Sequence, residues 1–310
     1  MDILSVGELL IDFLPGDEAG VYIRKAGGAP ANVAIAAARN GLNAGFCGAV
    51  GDDDFGHFLY DTLKENGVMA LRKELVTHAV TTMAFVTLDE TGNRSFTFAR
   101  KPGADMFLKK EDIRDEWLEN SRIIHAGSCS MSKMPASEAT VHALRQGHEK
   151  GKLVSFDVNY RNLLWDDDRG AAAKAVREIL PLVDFLKISQ EETDMVDTGG
   201  GIAAMAKENG IAAVVETLGE NGARCYWNGK LLMIPGRPAK CVDTTGAGDA
   251  FWGGFLSRLL KSGVNSVPDL SEELLRDAME YGNIAGWLCV QKKGAIESLP
   301  TGEEIEAHRK

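Results

Sequence analysis

The chain alternates two apolar rhythms. Short, nearly continuous apolar runs occur at 2–12, 44–51, 123–128, 153–158, 185–189 and 212–217. Between them, apolar positions fall at helical spacing, as in Phe251, Phe255, Leu256, Leu259 and Leu260. Continuous runs suit strands covered on both faces, so the pattern predicts a mostly parallel sheet with helices on both sides and right-handed crossovers, an α/β fold in three layers. Two places depart from the rhythm. Residues 82–88 and 94–99 are rich in β-formers and flank a glycine-containing turn at 89–93, which predicts a hairpin. Residues 223–227 and 230–234 predict another, joined by Asn228-Gly229. The first hairpin, with segment 13–25, is expected to form a small sheet over the C-terminal edge of the main one. That makes a lid inserted in one domain spanning 1–310.

Composition adds exclusions. The 310 residues are 45% hydrophobic and 25% charged, ordinary for a globular protein, with a net charge of −11. Such an acidic balance argues against a nucleic-acid partner, while a nucleotide needs only local positive groups. Five scattered cysteines (Cys47, Cys129, Cys225, Cys241, Cys289) contain no C-x-x-C pair, so neither a disulfide framework nor a zinc site is expected. No apolar stretch reaches membrane length and no signal-peptide pattern opens the sequence, so the expected location is cytoplasmic, with no membrane partner.

Candidate chemistry concentrates at Asp243-Thr-Thr-Gly-Ala-Gly-Asp249. Gly246, Ala247 and Gly248 are expected to form the entry turn of a helix over 248–261, presenting free N–H groups to an anion. Asp249 falls in that first turn, where a carboxylate is held ionised. The pairing suits phosphoryl transfer, the amides stabilising the moving group and the carboxylate taking the attacking hydroxyl's proton. Asp249 reads equally as a helix cap. Asp12, at the end of the first run, is placed beyond a strand's carboxyl end, either to accept from sugar hydroxyls or to cap a turn. Asn32 opens an Ala-rich helix after a glycine turn and could meet a polyol or cap that helix. Asp52-Asp53-Asp54 reads as a metal site or, more commonly, a solvated helix start. No P-loop, H-E-x-x-H or G-x-S-x-G motif is present, and Gly199, Gly201 and Ala204 lack the strand a dinucleotide fingerprint needs.

Gly27-Gly28-Ala-Pro-Ala-Asn32 and Asp243-Thr-Thr-Gly-Ala-Gly-Asp249 together resemble the two signatures of the ribokinase-like (PfkB) sugar kinases, over nearly the whole chain. The resemblance implies transfer of the ATP γ-phosphoryl group to a small sugar. It makes Asp249 the base, Gly246, Ala247 and Gly248 the anion hole, and Arg161 a neutraliser of phosphate charge. Asp12, Gly28, Asn32, Phe98 and Arg100 would hold the sugar. Lys187, Ser189, Thr217, Gly219, Gly222 and Asn283 would meet the nucleotide, and Glu192 would position Mg²⁺ through water. Ser189 stands where the family usually has Asn. Asp243, Thr245, Gly294 and Ser298 resemble the family's monovalent-cation loop, implying K⁺, with Lys292 or Lys293 as the alternative occupant. Gly28-Ala29-Pro30, the stretch 94–106, His125-Ala-Gly-Ser128 and the stretch 157–165 are most similar to the fructokinase branch. Kinases of 2-keto-3-deoxygluconate, ribose or a riboside share much of the pattern, and a silent sugar-binding regulator shares the fold. An exposed edge of the lid sheet is the expected surface for a homodimer.

Overall fold

The computed structural model describes residues 1–16, 18, 20–88 and 94–309. Strand β1 (Ile3–Val6) lies inside a nine-stranded sheet. The chain then turns out of that sheet at Gly7, where a Cβ would sit 2.6 Å from the Pro30 ring. The run 2–12 is therefore two strands, not one. Strand β2 (Leu10–Pro15) pairs with β3 (Tyr22–Gly27) in a second sheet. Asp12 consequently stands within β2, not at the end of a core strand.

Helix α1 (Ala29–Arg39) follows, with Pro30 in its first turn. Next come β4 (Ala44–Cys47), shorter than the predicted 44–51, α2 (Asp54–Glu65) and β5 (Met69–Ala70). The Asp53 carboxylate accepts from the Gly56 amide at 2.8 Å, so the triple-Asp run starts α2 as a cap. Strands β6 (Met83–Leu88) and β7 (Arg94–Ala99) pair antiparallel as the hairpin pattern predicts. Its turn, 89–93, lies outside the described residues. The second sheet has the order β3-β2-β6-β7, with β2 parallel to β6.

Strand–helix alternation then resumes with α3 (Asp115–Glu119), β8 (Ile123–Gly127), α4 (Ala136–Glu149), β9 (Leu153–Asp157) and α5 (Arg169–Ile179). Next are β10 (Phe185–Ser189), α6 (Thr193–Val196), α7 (Ile202–Asn209) and β11 (Ala213–Thr217). A hairpin of β12 (Gly222–Trp227) and β13 (Lys230–Pro235) turns through Asn228 and Gly229, both at positive φ, as the Asn-Gly signal predicts. Helices α8 (Ala247–Lys261), α9 (Glu272–Cys289) and α10 (Gly302–Ala307) complete the chain.

The main sheet runs β13-β12-β11-β10-β9-β8-β1-β4-β5, parallel from β5 to β11 and antiparallel in the last two strands. Side chains alternate between its faces. Ile3, Ile123 and Phe185 join the core with α1, α8 and α9, while their successors Leu4, Ile124 and Leu186 face the opposite helical layer. From β1 the chain winds first toward β5 and later toward β13. The strand order therefore reverses at β1 and β8, and a crevice opens beyond the strand ends at such a switch point.

Helices α1 and α8 approach unusually closely. A Cβ on Gly253 would lie 2.4 Å from Ala36 Cβ and 3.2 Å from the Val33 carbonyl. Gly253→Val is expected to force the two helices apart and cost about 1–3 kcal/mol. A reduced denaturant midpoint would show this, and an unchanged midpoint would mean the helices part freely.

Candidate active site

A cavity of about 580 Å³ lies at that switch point. The second sheet forms one wall through Leu10, Asp12, Leu14, Ala84, Val86 and Phe98, which is mostly apolar. The opposite wall is polar and comes from Asn32, Asn159, Arg161, Lys187, Thr245 and Asp249. Asn32 and Asp12, 217 and 237 positions from Asp249 in sequence, thus converge with it on one space.

Two glycines make the convergence possible. A Cβ on Gly27 would sit 2.2 Å from Asp12 Oδ2, so only glycine leaves room for that carboxylate. Gly28, at φ 115°, would drive a Cβ to 2.4 Å from the Glu8 carbonyl oxygen. The turn after it starts α1 and aims Asn32 at α8. Asn32 Nδ2 donates to Asp249 Oδ2 at 2.7 Å.

Helix α8 begins at Ala247, one residue before the expected start, with Gly246 as its N-cap in the left-handed region at φ 79°. No side chain caps this end. Asp249 is therefore not the helix cap; the Ala247 amide donates to the Thr244 carbonyl at 3.2 Å, and no side chain covers the helix end as a whole, which is open to an anion. Lys187 stands beside them: its Nζ would be 3.3 Å from a Cβ on Gly248. The same ammonium donates to Asp157 Oδ2 at 2.7 Å, with both side chains buried.

Burial controls the electrostatics. The Asp249 carboxyl is not held at an ordinary carboxylate value, as a free helix N-terminus implies. Desolvation pushes its pKa up, against the Asn32 hydrogen bond and the charges of Lys187 and Arg161. A raised pKa makes it the better proton acceptor. Burial likewise lifts Asp12 to about 7, with Asp249 and Asp243 adding and Arg161 opposing. For Lys187, burial opposes the charge, but Asp157, Glu192 and Asp249 outweigh it and hold the pKa up.

Other predicted residues serve different ends. Arg100 does not line the cavity; its Nη2 donates to Asp105 Oδ2 at 2.6 Å and its Nη1 to Ser132 and the Leu164 carbonyl. That buried pair commits its guanidinium to structure. Glu192 accepts from the Tyr160 and Ser189 amides, tying the loop after β9 to the end of β10. Thr217 ends β11, followed by Gly219 at φ 58°. Gly222 is needed for packing, since a Cβ would meet the Ile234 carbonyl at 2.2 Å. Asn283, on α9, donates to the Pro235 carbonyl at 3.0 Å. These last four lie around the β12–β13 hairpin and not on the cavity itself. Asp243 Oδ1 accepts from the amide and hydroxyl of Thr245 and Oδ2 from the Gly294 amide, while Ser298 donates to the Gly294 carbonyl. The four predicted loop residues therefore do meet. Lys292 pairs with Glu304 instead.

Sequence reasoning passed over Glu8, Cys129, Asn159 and Asp157 as site residues. Glu8 left a readable signal, a carboxylate inside an otherwise apolar run. Asn159, at φ 35°, left none.

Comparison with known proteins accords with this geometry. Residues 2–302 match the pfkB family carbohydrate kinases. The chain belongs to that family. It is 38% identical over 315 residues to the probable fructokinase-5 of Arabidopsis thaliana, covering 98% of this chain and 96% of that one. The crystal structure of fructokinase with bound ATP from Xylella fastidiosa superposes with a TM-score of 0.89 at 32% identity, over 99% of this chain and 97% of that chain. A double mutant of the Vibrio cholerae O395 fructokinase, in fructose, ADP and potassium ion bound form, gives 0.90 at 33% identity, over 100% and 98%. Among the described residues no helix is long and apolar enough to cross a membrane.

The buried ion pair yields a stability prediction. Lys187→Met leaves Asp157 buried and unpaired and is expected to cost about 3–5 kcal/mol in denaturant unfolding. Adding Asp157→Asn should recover part of that loss; a double variant as unstable as the single one would refute the coupling.

Proposed function

We propose that this protein transfers the γ-phosphoryl group of ATP to a hydroxyl of fructose. The observation carrying this reading is the Asp249 carboxylate, buried in the first turn of an uncapped helix and hydrogen-bonded to Asn32 at the end of a sugar-sized cavity. The named fructokinase relatives support fructose as the acceptor.

The chemistry follows from that placement. The sugar sits between Asp12, Gly28 and Asn32, with one hydroxyl against Asp249. As that hydroxyl oxygen forms its bond to the γ-phosphorus, its proton passes to Asp249 Oδ and the β–γ bridging oxygen leaves with ADP. The amides of Gly246, Ala247 and Gly248 hold the equatorial oxygens of the moving group, and Lys187 and Arg161 offset its charge. The apolar wall from the second sheet keeps water from competing for the phosphoryl group. The edge strand β3 of that sheet, with Tyr22 and Ile23 exposed, is the surface we assign to a homodimer.

In this reading Glu192, whose oxygens also accept from the Tyr160 and Ser189 amides, would orient Mg²⁺ through water, and the ion would supply charge neutralisation to the nucleotide phosphates. The all-oxygen set of Asp243, Thr245, Gly294 and Ser298 fits a hard monovalent cation such as K⁺, whose charge would reinforce the anion-binding turn. These residues are also linked to one another by hydrogen bonds, so the loop holds its shape through this chain's own contacts.

Turnover should be seen with fructose in a coupled ADP-release assay run across fructose, ribose, 2-keto-3-deoxygluconate and ribosides. Asp249→Asn, which keeps the shape but cannot take the proton, is expected to lower kcat about 10²–10⁴-fold while fructose and ATP bind within a few-fold of wild type. Near-normal turnover by that folded variant would sink the assignment. Because burial raises the Asp249 pKa, activity should fall with acidification at a higher pH than an exposed carboxylate would set. Replacing K⁺ by tetramethylammonium at constant ionic strength should reduce kcat several-fold, and equal rates in both buffers would remove the cation from the account.

A further inference from the structure

Buried polar atoms without partners point to ligands, because an unmet donor or acceptor costs free energy that something must offset. Among the described residues there are five: Glu8 Oε2, Asn32 Oδ1, Ser128 Oγ, Asp157 Oδ1 and Trp165 Nε1. Only Glu8 and Asn32 belong to residues that line the cavity. Asn32 already has a role, since its amide nitrogen serves Asp249. Glu8 has none.

Glu8 sits in the connection between β1 and β2, 3% exposed, pressed under the Gly28 turn. Of the two cations near it, Arg161 lines the same cavity and Arg100 is already committed. The Arg100 guanidinium is spent on Asp105 through Nε and Nη2, and on Ser132 and the Leu164 carbonyl through Nη1. Asp105 adds repulsion, and the Cys129 thiol on the same cavity wall is bound to the Asn159 carbonyl. The amides of Glu8 and Ala29 hold the carboxyl from one side, which leaves Oε2 unmet.

Resting on the kinase reading above, we propose that Glu8 contacts the acceptor sugar, its carboxyl group hydrogen-bonding a hydroxyl other than the one phosphorylated. The site thereby selects polyols that carry a hydroxyl at that end. Burial, with Asp105 adding and the Glu8 and Ala29 amides and Arg100 opposing, pushes the carboxyl up to about 8. Near neutral pH the group is therefore a neutral acid that can both donate and accept. A sugar hydroxyl has the same two capacities. A neutral acid also avoids adding a second full negative charge to a pocket that already holds Asp12 and Asp249.

The test compares wild type, Glu8→Gln and Glu8→Leu with fructose and with analogues each lacking one hydroxyl. Glu8→Gln still donates and accepts and should hold the fructose KM within about three-fold. Glu8→Leu should raise it about ten- to hundred-fold with the ATP KM unchanged. One deoxy analogue should be bound equally by wild type and Glu8→Leu, since with its hydroxyl gone neither enzyme can form the bond. A folded Glu8→Leu enzyme with the wild-type fructose KM, or one that penalises every analogue as wild type does, would overturn the proposal. If Glu8→Leu does not fold, difference infrared spectra of wild type and Glu8→Gln decide. Fructose should shift a protonated-carboxyl band that Glu8→Gln lacks, and no Glu8-dependent change would overturn the contact. A wild-type enzyme that phosphorylates no sugar would overturn the kinase reading and this proposal together, so the two failures are told apart.

Discussion

One hydrogen bond, from Asn32 on α1 to Asp249 on α8, joins two helix N-termini that the chain separates by more than two hundred residues. It holds only while the two helices stay in register, and that register is set elsewhere. Gly253 lets α8 press directly on Ala36. Trp252, three residues past Asp249, is fully buried, stacks on Phe255 at 4.9 Å and donates from Nε1 to Ser155 Oγ on β9 at 2.9 Å. The same hydroxyl meets His125 Nδ1 on β8 at 3.0 Å. The carboxylate is thus positioned by a core contact one turn away, on the rigid part of the fold.

Holding Asp249 in that place has an electrostatic consequence. Glu8, Asp12 and Asp249 line one space with two cations, Arg161 and Lys187, and Asp157 is buried behind it against Lys187. At an effective dielectric of about 20, two unit charges 4 Å apart interact by about 4 kcal/mol, so four ionised carboxylates could not share the space without strong opposition. The structure relieves this unevenly. Asp157 is neutralised locally by Lys187, while burial keeps Glu8 and Asp12 near or above neutrality. What remains is a carboxylate with a raised affinity for a proton, next to amides and an ammonium suited to phosphate. The asymmetry among chemically similar groups is what separates a base from its supporting residues.

The alternating apolar runs made the parallel sheet legible in the sequence, as did the Asn228-Gly229 hairpin and the helix after Gly246, because each depends on local pattern. The partition of the first apolar run did not show, since Glu8 is the only polar side chain between Val6 and Asp12 and the break at Gly7 depends on contact with Pro30, twenty-three residues later. Asp249, Asn32 and Asp12 could be singled out because their glycine turns are visible. That they touch could not, because the contact passes through helix packing. The surroundings of Arg100 are hidden in the sequence for the same reason. Its partner Asp105 is close in sequence, but only the tertiary structure shows the guanidinium fully consumed. The shift of the Asp249 pKa was invisible too, because desolvation is a property of everything packed around a residue.

The two walls of the cavity divide the work of selectivity. The second sheet offers Leu10, Leu14, Ala84, Val86 and Phe98, which bind no hydroxyl but exclude water, the competing acceptor for a phosphoryl group. A wall made only of such groups could not reject a sugar that lacks one hydroxyl, since apolar contact discriminates weakly against a missing polar group. Rejection has to come from groups that suffer when unpaired. Asn32 and Asp12 meet that condition near the reacting end, and Gly27 is the concession that lets Asp12 enter at all. On the proposed reading, chemical power and selectivity fall on different elements: the base on α8, packed in the core, the water-excluding wall on the second sheet beside it. That sheet is packed into the same core, through Ile11 and Ala26, as the helices that position Asp249.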